Sequence, residues 1–160
     1  MTLAEKFMEY PNEERCLDGV AHFDDAPQWI YGHDNPYLHG VYAPITQELH
    51  ARDLEVVGDL PADLVGGYFR NGPNPVFESK NRYHPFDGDG MVHGVYFRDG
   101  KVSYRNRWVH TAAFEQEARD GISVSPGVMG PFDYDISQFG IKDTSNTDVF
   151  WYAGDIMTLW

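Results

Sequence analysis

The dipeptide Asp99-Gly100, placed between two long stretches of strand-forming residues, is the feature that most restricts how this chain can fold. A two-residue Asp-Gly turn accepts positive φ angles at both positions, and this matches the twist of two paired antiparallel strands. We therefore predict a β-hairpin in which residues 92–98 form the first strand and residues 101–110 form the second.

The second strand of this hairpin alternates in character, which is typical of a strand with one face toward a core. Asn106 and His110 lie on the more apolar face, so that face is not purely apolar. The apolar residues of that face are Val102, Tyr104 and Trp108, and the opposite face carries Lys101, Ser103, Arg105 and Arg107.

Other local patterns predict further strands. Residues 54–57 and 66–70 are short strand candidates, and the Asn-Gly-Pro-Asn-Pro cluster at residues 71–75 predicts a turn after the second of them. A final hairpin is predicted from residues 149–152 and 156–160, with a turn near residues 153–155.

One helix is predicted between the two hairpins. Thr111 can cap its beginning, the helix should continue to about Arg119, and Gly121 should end it. Residues 121–145 are predicted to form a long loop.

Residues 1–50 carry few regular patterns and are predicted to form an extended arm, ahead of a strand-rich region at residues 51–160. Proline removes backbone donors and glycine loosens the chain, and both recur in this arm. A short helix is predicted near residues 3–9. Aromatic side chains are expected to anchor the arm: Trp29, Tyr31, Tyr37 and Tyr42.

The formal net charge of −13 argues against nucleic acid or an anionic lipid surface as a partner, because both require an excess of Lys and Arg. The single cysteine, Cys16, excludes an internal disulfide and a cysteine-only zinc site, and it agrees with the cytoplasm as the expected location. No apolar run approaches the roughly 18 residues of a membrane span. Residues 1–10 lack the continuous apolar stretch of a signal peptide.

The histidines and two aspartates are the candidates for chemistry. His84 and His93 flank the Asp-Gly-Asp-Gly run that begins at Asp87, but the twelfth residue from Asp87 is Arg98, where a calcium-binding EF-hand needs Glu. A two-histidine-one-carboxylate iron site remains open on spacing alone, beside buried structural histidines. Acid–base chemistry by Asp87 and Asp89 stays open beside a structural role in the turn. The histidines are His22, His33, His39, His50, His84, His93 and His110.

Residues 156–160 are apolar almost throughout and need cover on both faces. Natural domains seldom end on such a strand, because its edge and faces would be exposed. We therefore expect this sequence to be incomplete or to be one piece of a larger assembly, and we expect the chain alone to aggregate.

Five blocks of residues occur in the order in which one known family carries them. The most specific are residues 67–75 (Gly-Tyr-Phe-Arg-Asn-Gly-Pro-Asn-Pro) and residues 84–93 (His-Pro-Phe-Asp-Gly-Asp-Gly-Met-Val-His). The others are residues 35–38 with 43–44, residues 107–111, and residues 146–147 with 153–154 and 159–160. Over about residues 35–160 the chain thus resembles the carotenoid cleavage oxygenases, a family of non-haem iron oxygenases.

The resemblance implies an all-β fold: a partial seven-bladed β-propeller with an N-terminal extended arm and a short cap helix. A blade takes roughly 40–50 residues, so residues 51–160 would form only the first, incomplete part of the oxygenase domain. The resemblance also implies Fe(2+) held by four histidines from different blades, all downstream of this chain. No residue here is therefore predicted as catalytic or as a metal ligand.

Two residues are predicted by the same resemblance to bind substrate. Phe86 matches a phenylalanine that lines the substrate cavity, and Trp160 matches another lining position, with ordinary aromatic core as the alternative for both. A lysine stands at the Trp160 position in stilbene-cleaving relatives. Because an indole offers only one N–H and an apolar face, Trp160 favours an apolar carotenoid or apocarotenoid polyene.

The activity that the resemblance implies for the complete enzyme is O₂-dependent cleavage of a conjugated carbon–carbon double bond into two carbonyl products. Retinoid isomerisation, which some relatives perform, stays open. This chain alone is expected to be inactive, to need the remainder of the propeller, and to contact a membrane only for substrate uptake. The alternative is a non-catalytic, β-rich binding or scaffold module without metal.

Overall fold

A computed structural model describes residues 35–77, 79–131 and 141–160. Within these ranges the strands form a four-stranded antiparallel sheet, ordered β1-β4-β3-β2, and a separate two-stranded sheet. Among the described residues, one α-helix, α1 (Ala112–Asp120), lies between the two sheets in the chain. The strands are β1 (His50–Ala51), β2 (Gly66–Pro73), β3 (Gly90–Arg98), β4 (Lys101–Trp108), β5 (Asp148–Tyr152) and β6 (Asp155–Leu159).

The hairpin predicted around Asp99-Gly100 is confirmed. β3 and β4 pair antiparallel up to the residues next to the turn, and Asp99 and Gly100 have φ angles of 51° and 70°. β3 begins at Gly90, two residues earlier than predicted, and β4 ends at Trp108 rather than at residue 110.

The predicted alternation of β4 is also present. The register pairs Met91 with Trp108 and His93 with Asn106, so these side chains share one face of the sheet. Asn106 is fully buried there, and its amide donates to Gln47 O (3.0 Å) and accepts from Leu49 N (2.5 Å). The polar residue on the apolar face therefore attaches the preceding segment of chain to the sheet.

The apolar core gathers at the end of the sheet where β3 begins and β4 ends. Trp108 and Phe114 of α1 stack with ring centroids 6.2 Å apart, and the Trp108 indole N–H donates to Asn74 O at 3.1 Å. The helix is thereby packed on the sheet through one aromatic pair. The buried apolar residues of this core are Val76, Phe77, Met91, Trp108 and Phe114.

Two strand predictions need correction. Residues 54–57 form no strand: Leu54 N donates to Val102 O at 2.9 Å, and the strand that pairs with the outer side of β4 is instead β1. The turn predicted at residues 71–75 begins later, because β2 continues to Pro73. Since β2 lies at the edge of its sheet, a proline there removes no hydrogen bond that the sheet needs.

The predicted helix and the final hairpin are confirmed. Thr111 Oγ1 accepts from Phe114 N at 3.2 Å and caps α1, and Gly121 ends the helix in the left-handed region at φ 70°. β5 and β6 pair antiparallel around Ala153-Gly154, both of which have positive φ angles.

The described part of the arm contains two short 3₁₀ turns, Pro36–Leu38 and Gly40–Tyr42. The arm is fastened by a reciprocal pair in which Asn74 Oδ1 accepts from Ile45 N (2.7 Å) and Asn74 Nδ2 donates to Ile45 O (2.8 Å). Leu38 is buried. Of the two described residues that we predicted as anchors, Tyr42 is largely exposed, whereas Tyr37 is 41% exposed and its ring lies 6.1 Å from the His84 ring. Trp29, Tyr31 and the helix predicted near residues 3–9 lie outside the described residues.

The predicted division of the chain after residue 50 falls inside β1, and the division stays a prediction. In the described ranges, no helix combines the length and apolarity needed to cross a membrane.

The Asp-Gly-Asp-Gly run passes through a gap with no room for side chains at its glycines. A Cβ added at Gly88 would lie 2.6 Å from Pro73 Cβ and 2.8 Å from the Tyr83 hydroxyl. One added at Gly90 would lie 2.3 Å from Ser145 O. These glycines are therefore required by the close approach of neighbouring segments, at ordinary φ angles.

Gly90→Ala is expected to lower the free energy of unfolding by about 2–3 kcal/mol, because its methyl group would overlap the backbone at Ser145. Gly72→Ala is the matched control: Gly72 is also buried in the sheet, but the nearest atom to an added Cβ is Arg70 Nη2 at 3.6 Å. Urea unfolding of both variants measures the difference. Equal losses of stability would contradict the packing described here.

Candidate functional site

Phe86 lies in the middle of a 3₁₀ turn, Pro85–Asp87, whose beginning is held by a reciprocal capping box between His84 and Asp87. His84 Nδ1 accepts from Phe86 N at 3.2 Å, and the Asp87 carboxylate accepts from His84 N at 3.0 Å. The Phe86 and His84 rings are nearly perpendicular, with 4.7 Å between their centroids, and Phe86 is 66% exposed. The backbone of this turn, the Phe86 turn below, is thus held while its aromatic ring faces outward.

A short series of hydrogen bonds connects the Phe86 turn to Trp160. Asn146 Nδ2 donates to Phe86 O (3.3 Å) and to Gly88 O (2.7 Å). The next residue, Thr147, donates its N–H to Leu159 O at 3.0 Å, and Trp160 follows directly. Trp160 is 63% exposed. The structure therefore places both predicted substrate-binding residues on segments joined through Asn146.

The two aspartates of the Asp-Gly-Asp-Gly run have structural partners. Asp87 Oδ1 accepts from Val128 N at 2.8 Å, in addition to the bond that caps the Phe86 turn. Asp89 Oδ2 accepts from Val76 N at 3.1 Å. Both residues are buried, so the arrangement favours the structural role over acid–base chemistry.

A buried ion cluster joins three distant parts of the chain. Lys142 Nζ lies 2.6 Å from Asp89 Oδ1 and 2.5 Å from Glu117 Oε2, and the three side chains are at most 2% exposed. Glu117 Oε1 accepts from Ser123 Oγ and Val124 N, both at 3.0 Å. The carboxylates and the ammonium are thus each paired in a site closed to water.

The charges of this cluster shift the pKa values of Lys142 and Glu117. Burial opposes the charge on Lys142, but the adjacent carboxylates of Asp89 and Glu117 outweigh burial and raise the lysine pKa above its usual value. Burial, with the negative charge of Asp89 added to it, raises the pKa of Glu117. Two carboxylates share one ammonium, so the ammonium is held charged while one carboxylate is the more easily protonated.

The histidines predicted as possible ligands make other bonds. His84 caps the Phe86 turn, and His93 Nδ1 lies 2.7 Å from the Tyr104 hydroxyl. His110 Nδ1 lies 2.6 Å from Glu115 Oε1 on the neighbouring helix. Across residues 35–77, 79–131 and 141–160, no group of three His, Cys, Asp or Glu side chains could hold a metal ion. His22 and His33 lie outside these ranges.

Sequence reasoning did not find Glu117 or Lys142. The burial of Glu117 could have been predicted, because Glu117 follows Ala113 and Phe114 at helical spacing and so lies on the buried face of α1. No sequence pattern indicated the burial of Lys142. It precedes β5 in a segment without regular periodicity, and its burial depends entirely on the partners that the fold brings to it.

A cavity of about 430 Å³ between the arm and the sheet was also missed. It forms only where the arm meets the four-stranded sheet, so no local pattern indicates it. Tyr83 in its wall is buried, and this burial, together with the charges of Asp89 and Asp87, raises the pKa of its hydroxyl. The aromatic and basic residues that line the cavity include Tyr37, Tyr42, Arg70, Tyr83 and His93.

The chain is similar to known proteins over most of its length. The family model described as retinal pigment epithelial membrane protein matches residues 42–160. A carotenoid cleavage oxygenase from Mycobacterium tuberculosis (strain CDC 1551 / Oshkosh) is 45% identical over 127 residues, which are 78% of this chain and 24% of that protein. The chain therefore spans about a quarter of the length of this curated relative.

Solved structures show the same likeness. The Pseudomonas brassicacearum lignostilbene dioxygenase has a TM-score of 0.68 and 31% identity, covering 77% of this chain and 26% of that one. A cobalt-substituted Synechocystis apocarotenoid oxygenase (ACO) has a TM-score of 0.61 and 32% identity, covering 73% of this chain and 26% of that one. The fold is mainly β and forms part of a β-propeller, as the sequence predicted.

His93→Asn is expected to make stability less dependent on pH below pH 6.5, the ordinary pKa of histidine. Burial, and then the charge of Arg70, lower the pKa of native His93. As the pH falls through 6.5, His93 therefore binds a proton in the unfolded chain but not in the folded chain. The free energy of unfolding decreases as a result. Asparagine keeps a polar partner for Tyr104 and does not titrate.

Urea unfolding of both proteins at several values between about pH 5 and pH 7.5 measures this slope. Parallel slopes for the original protein and His93→Asn would show that His93 does not contribute to it.

Proposed function

The chain belongs to the family described as retinal pigment epithelial membrane protein, and from this membership we propose that it is the N-terminal part of an oxygenase that cleaves a conjugated carbon–carbon double bond. The observation that carries the proposal is the family match over residues 42–160, which includes both of its most specific sequence blocks. The chain spans about a quarter of the relatives it matches, so most of the catalytic protein would lie outside it.

The reaction we propose inserts the two atoms of O₂ across one double bond and releases two carbonyl products. The substrate we propose is a carotenoid or apocarotenoid polyene rather than a hydroxystilbene. Trp160 supports this choice, because an indole presents an apolar face and one N–H donor, without the charge that would meet a phenol. Retinoid isomerisation is the other outcome that the family allows.

Phe86 and Trp160 are proposed to line the substrate cavity. Both are large aromatic residues that this chain leaves exposed, by 66% and 63%. Apolar surface of this size is stabilised when another apolar group covers it and excludes water. A polyene lying against both rings would supply that cover in the complete enzyme.

The metal we propose for the complete enzyme is Fe(2+), which would supply the binding and activation of O₂. The described residues of this chain do not fit an iron site, since they offer no group of three ligating side chains. We therefore propose that the iron ligands lie outside residues 1–160 and that this chain alone is inactive. A solved relative that carries cobalt supports a metal in the family.

The surroundings that we propose follow from charge and cysteine content. The net charge of −13 opposes a nucleic-acid partner, and the single cysteine agrees with the reducing cytoplasm. Membrane contact is proposed only for uptake of the apolar substrate. The partner that this chain requires is the remainder of the propeller.

The second candidate is a non-catalytic, β-rich binding module without metal. It is favoured by the lack of a metal-ligand group in the described ranges. Iron analysis of the protein encoded by the entire reading frame separates the two candidates: stoichiometric iron supports the oxygenase, and an iron-free protein that cleaves no polyene supports the binding module.

Phe86→Ala in the iron-loaded, intact protein is expected to raise KM for an apocarotenal about five-fold or more, because about 1 kcal/mol or more of apolar contact is lost. Tyr68→Ala is the matched control. Tyr68 is 64% exposed but lies near the beginning of β2, whereas the Phe86 turn lies near Pro73 at the end of β2. Carbonyl products made under ¹⁸O₂ are measured by mass spectrometry. Equal effects of both variants, or products without label, would contradict the proposal.

A further inference from the structure

We infer that the buried Asp89–Lys142 ion pair is a positioning device that sets the Phe86 turn relative to Trp160, and thereby determines where along its length a polyene is held. This inference rests on the proposed function, since it needs Phe86 to contact the substrate. Asp89 and Lys142 would act through the Phe86 turn and would not touch the substrate themselves.

The ion pair lies close to the Phe86 turn in the chain. Asp89 follows the Phe86 turn by two residues, and Lys142 begins a segment that runs to Asn146, called the bridging segment (residues 142–146). The 2.6 Å contact between the two charges fixes one end of the bridging segment beside the turn. Glu117 holds the same ammonium from α1, so the pair cannot slide toward solvent.

The bridging segment is hydrogen-bonded to the Phe86 turn and to the glycines that follow it. Thr144 O accepts from Gly90 N at 2.8 Å, and Asn146 Nδ2 donates to Gly88 O and Phe86 O. The bridging segment therefore lies along the run from Phe86 to Gly90, with the ion pair at one end and Asn146 at the other. A shift of Lys142 would be passed along this contact to the carbonyl group of Phe86.

The backbone from Gly88 to Gly90 is packed closely against its neighbours. Cβ atoms added at Gly88 and Gly90 would overlap Pro73 on one side and Ser145 on the other. Asp89 between them is held by Val76 N and by Lys142, while its own carbonyl accepts from Asn74 N at 2.7 Å. A backbone packed this closely moves as a unit, because neighbouring atoms leave no free volume.

The bridging segment also leads to the hairpin that carries Trp160. Beyond Asn146, Thr147 N donates to Leu159 O, and β5 and β6 pair from Asp148 and Leu159 onward. Trp160 thus extends from the same hairpin whose entry Asn146 fastens to the Phe86 turn. Neutralising Asp89 leaves Lys142 paired with Glu117 alone, which draws the bridging segment toward α1 and away from the turn.

The test uses the iron-loaded, intact protein and an apocarotenal with chemically unequal ends, so that cleavage at neighbouring bonds gives different products. Asp89→Asn is expected to raise KM about five-fold and to change the ratio of the products, with a smaller effect on kcat. Asn146→Ala is expected to do the same, because it removes the bonds to Phe86 O and Gly88 O while the ion pair remains. If Asp89→Asn does not fold, the kinetics of Asn146→Ala alone test the inference.

Glu48→Gln is the matched control. Glu48 is also a carboxylate with a buried side chain, one backbone donor and one cation, Trp108 N at 2.9 Å and Arg107 Nε at 3.3 Å, but these bonds attach it to β4 and not to the bridging segment. It is expected to lower Tm comparably while KM and the product ratio stay unchanged. A structural role alone would lower Tm in all three variants without moving either kinetic quantity, and that result would overturn the inference.

Phe86→Ala separates the inference from the proposed function. If Phe86→Ala changes KM and the product ratio while Asp89→Asn and Asn146→Ala do not, the positioning role is wrong and the substrate site stands. If Phe86→Ala changes neither, the substrate site is wrong and the positioning role falls with it.

Discussion

The buried ammonium of Lys142 is the constraint on which the rest of this structure depends. A charge removed from water is tolerated only when opposite charges and hydrogen bonds surround it, and its partners here come from separate segments. Asp89 is supplied by the run before β3, and Glu117 is supplied by α1. The sheet, the helix and the segment before β5 must therefore converge at one point. The glycines beside Asp89 make this convergence close enough for direct pairing.

The candidate site follows from the same convergence. The bridging segment connects the Phe86 turn to the entry of the β5–β6 hairpin, because Asn146 bonds to the first and the next residue, Thr147, bonds to the second. The interior on the core side is filled by aromatic and aliphatic side chains, whereas Phe86 and Trp160 face outward. A closely packed interior thus supports an exposed aromatic surface, on which the proposed substrate site depends.

Local chemistry decided which parts of the fold were predictable from sequence. Both hairpins turn on two residues with positive φ angles, and α1 has a threonine cap and a glycine stop, so short-range patterns located them. β1 could not be predicted, because its pairing with β4 is fixed by contacts between Asn106 and residues 47–49 across the fold. The blocks around Phe86 and before Trp160 were recognisable as motifs, but the reason for them, the pairing of Asp89 with Lys142, involves residues 53 positions apart.

Hydrogen exchange in Lys142→Met tests most directly whether this one charge holds the three segments together. Three amides report on them: Val76 N donates to Asp89, Val124 N donates to Glu117, and Gly90 N donates to Thr144. The account predicts that all three lose protection together, while the ladder amides near Asp99-Gly100 keep theirs. Loss of protection at Val124 alone, with Val76 and Gly90 unchanged, would contradict it.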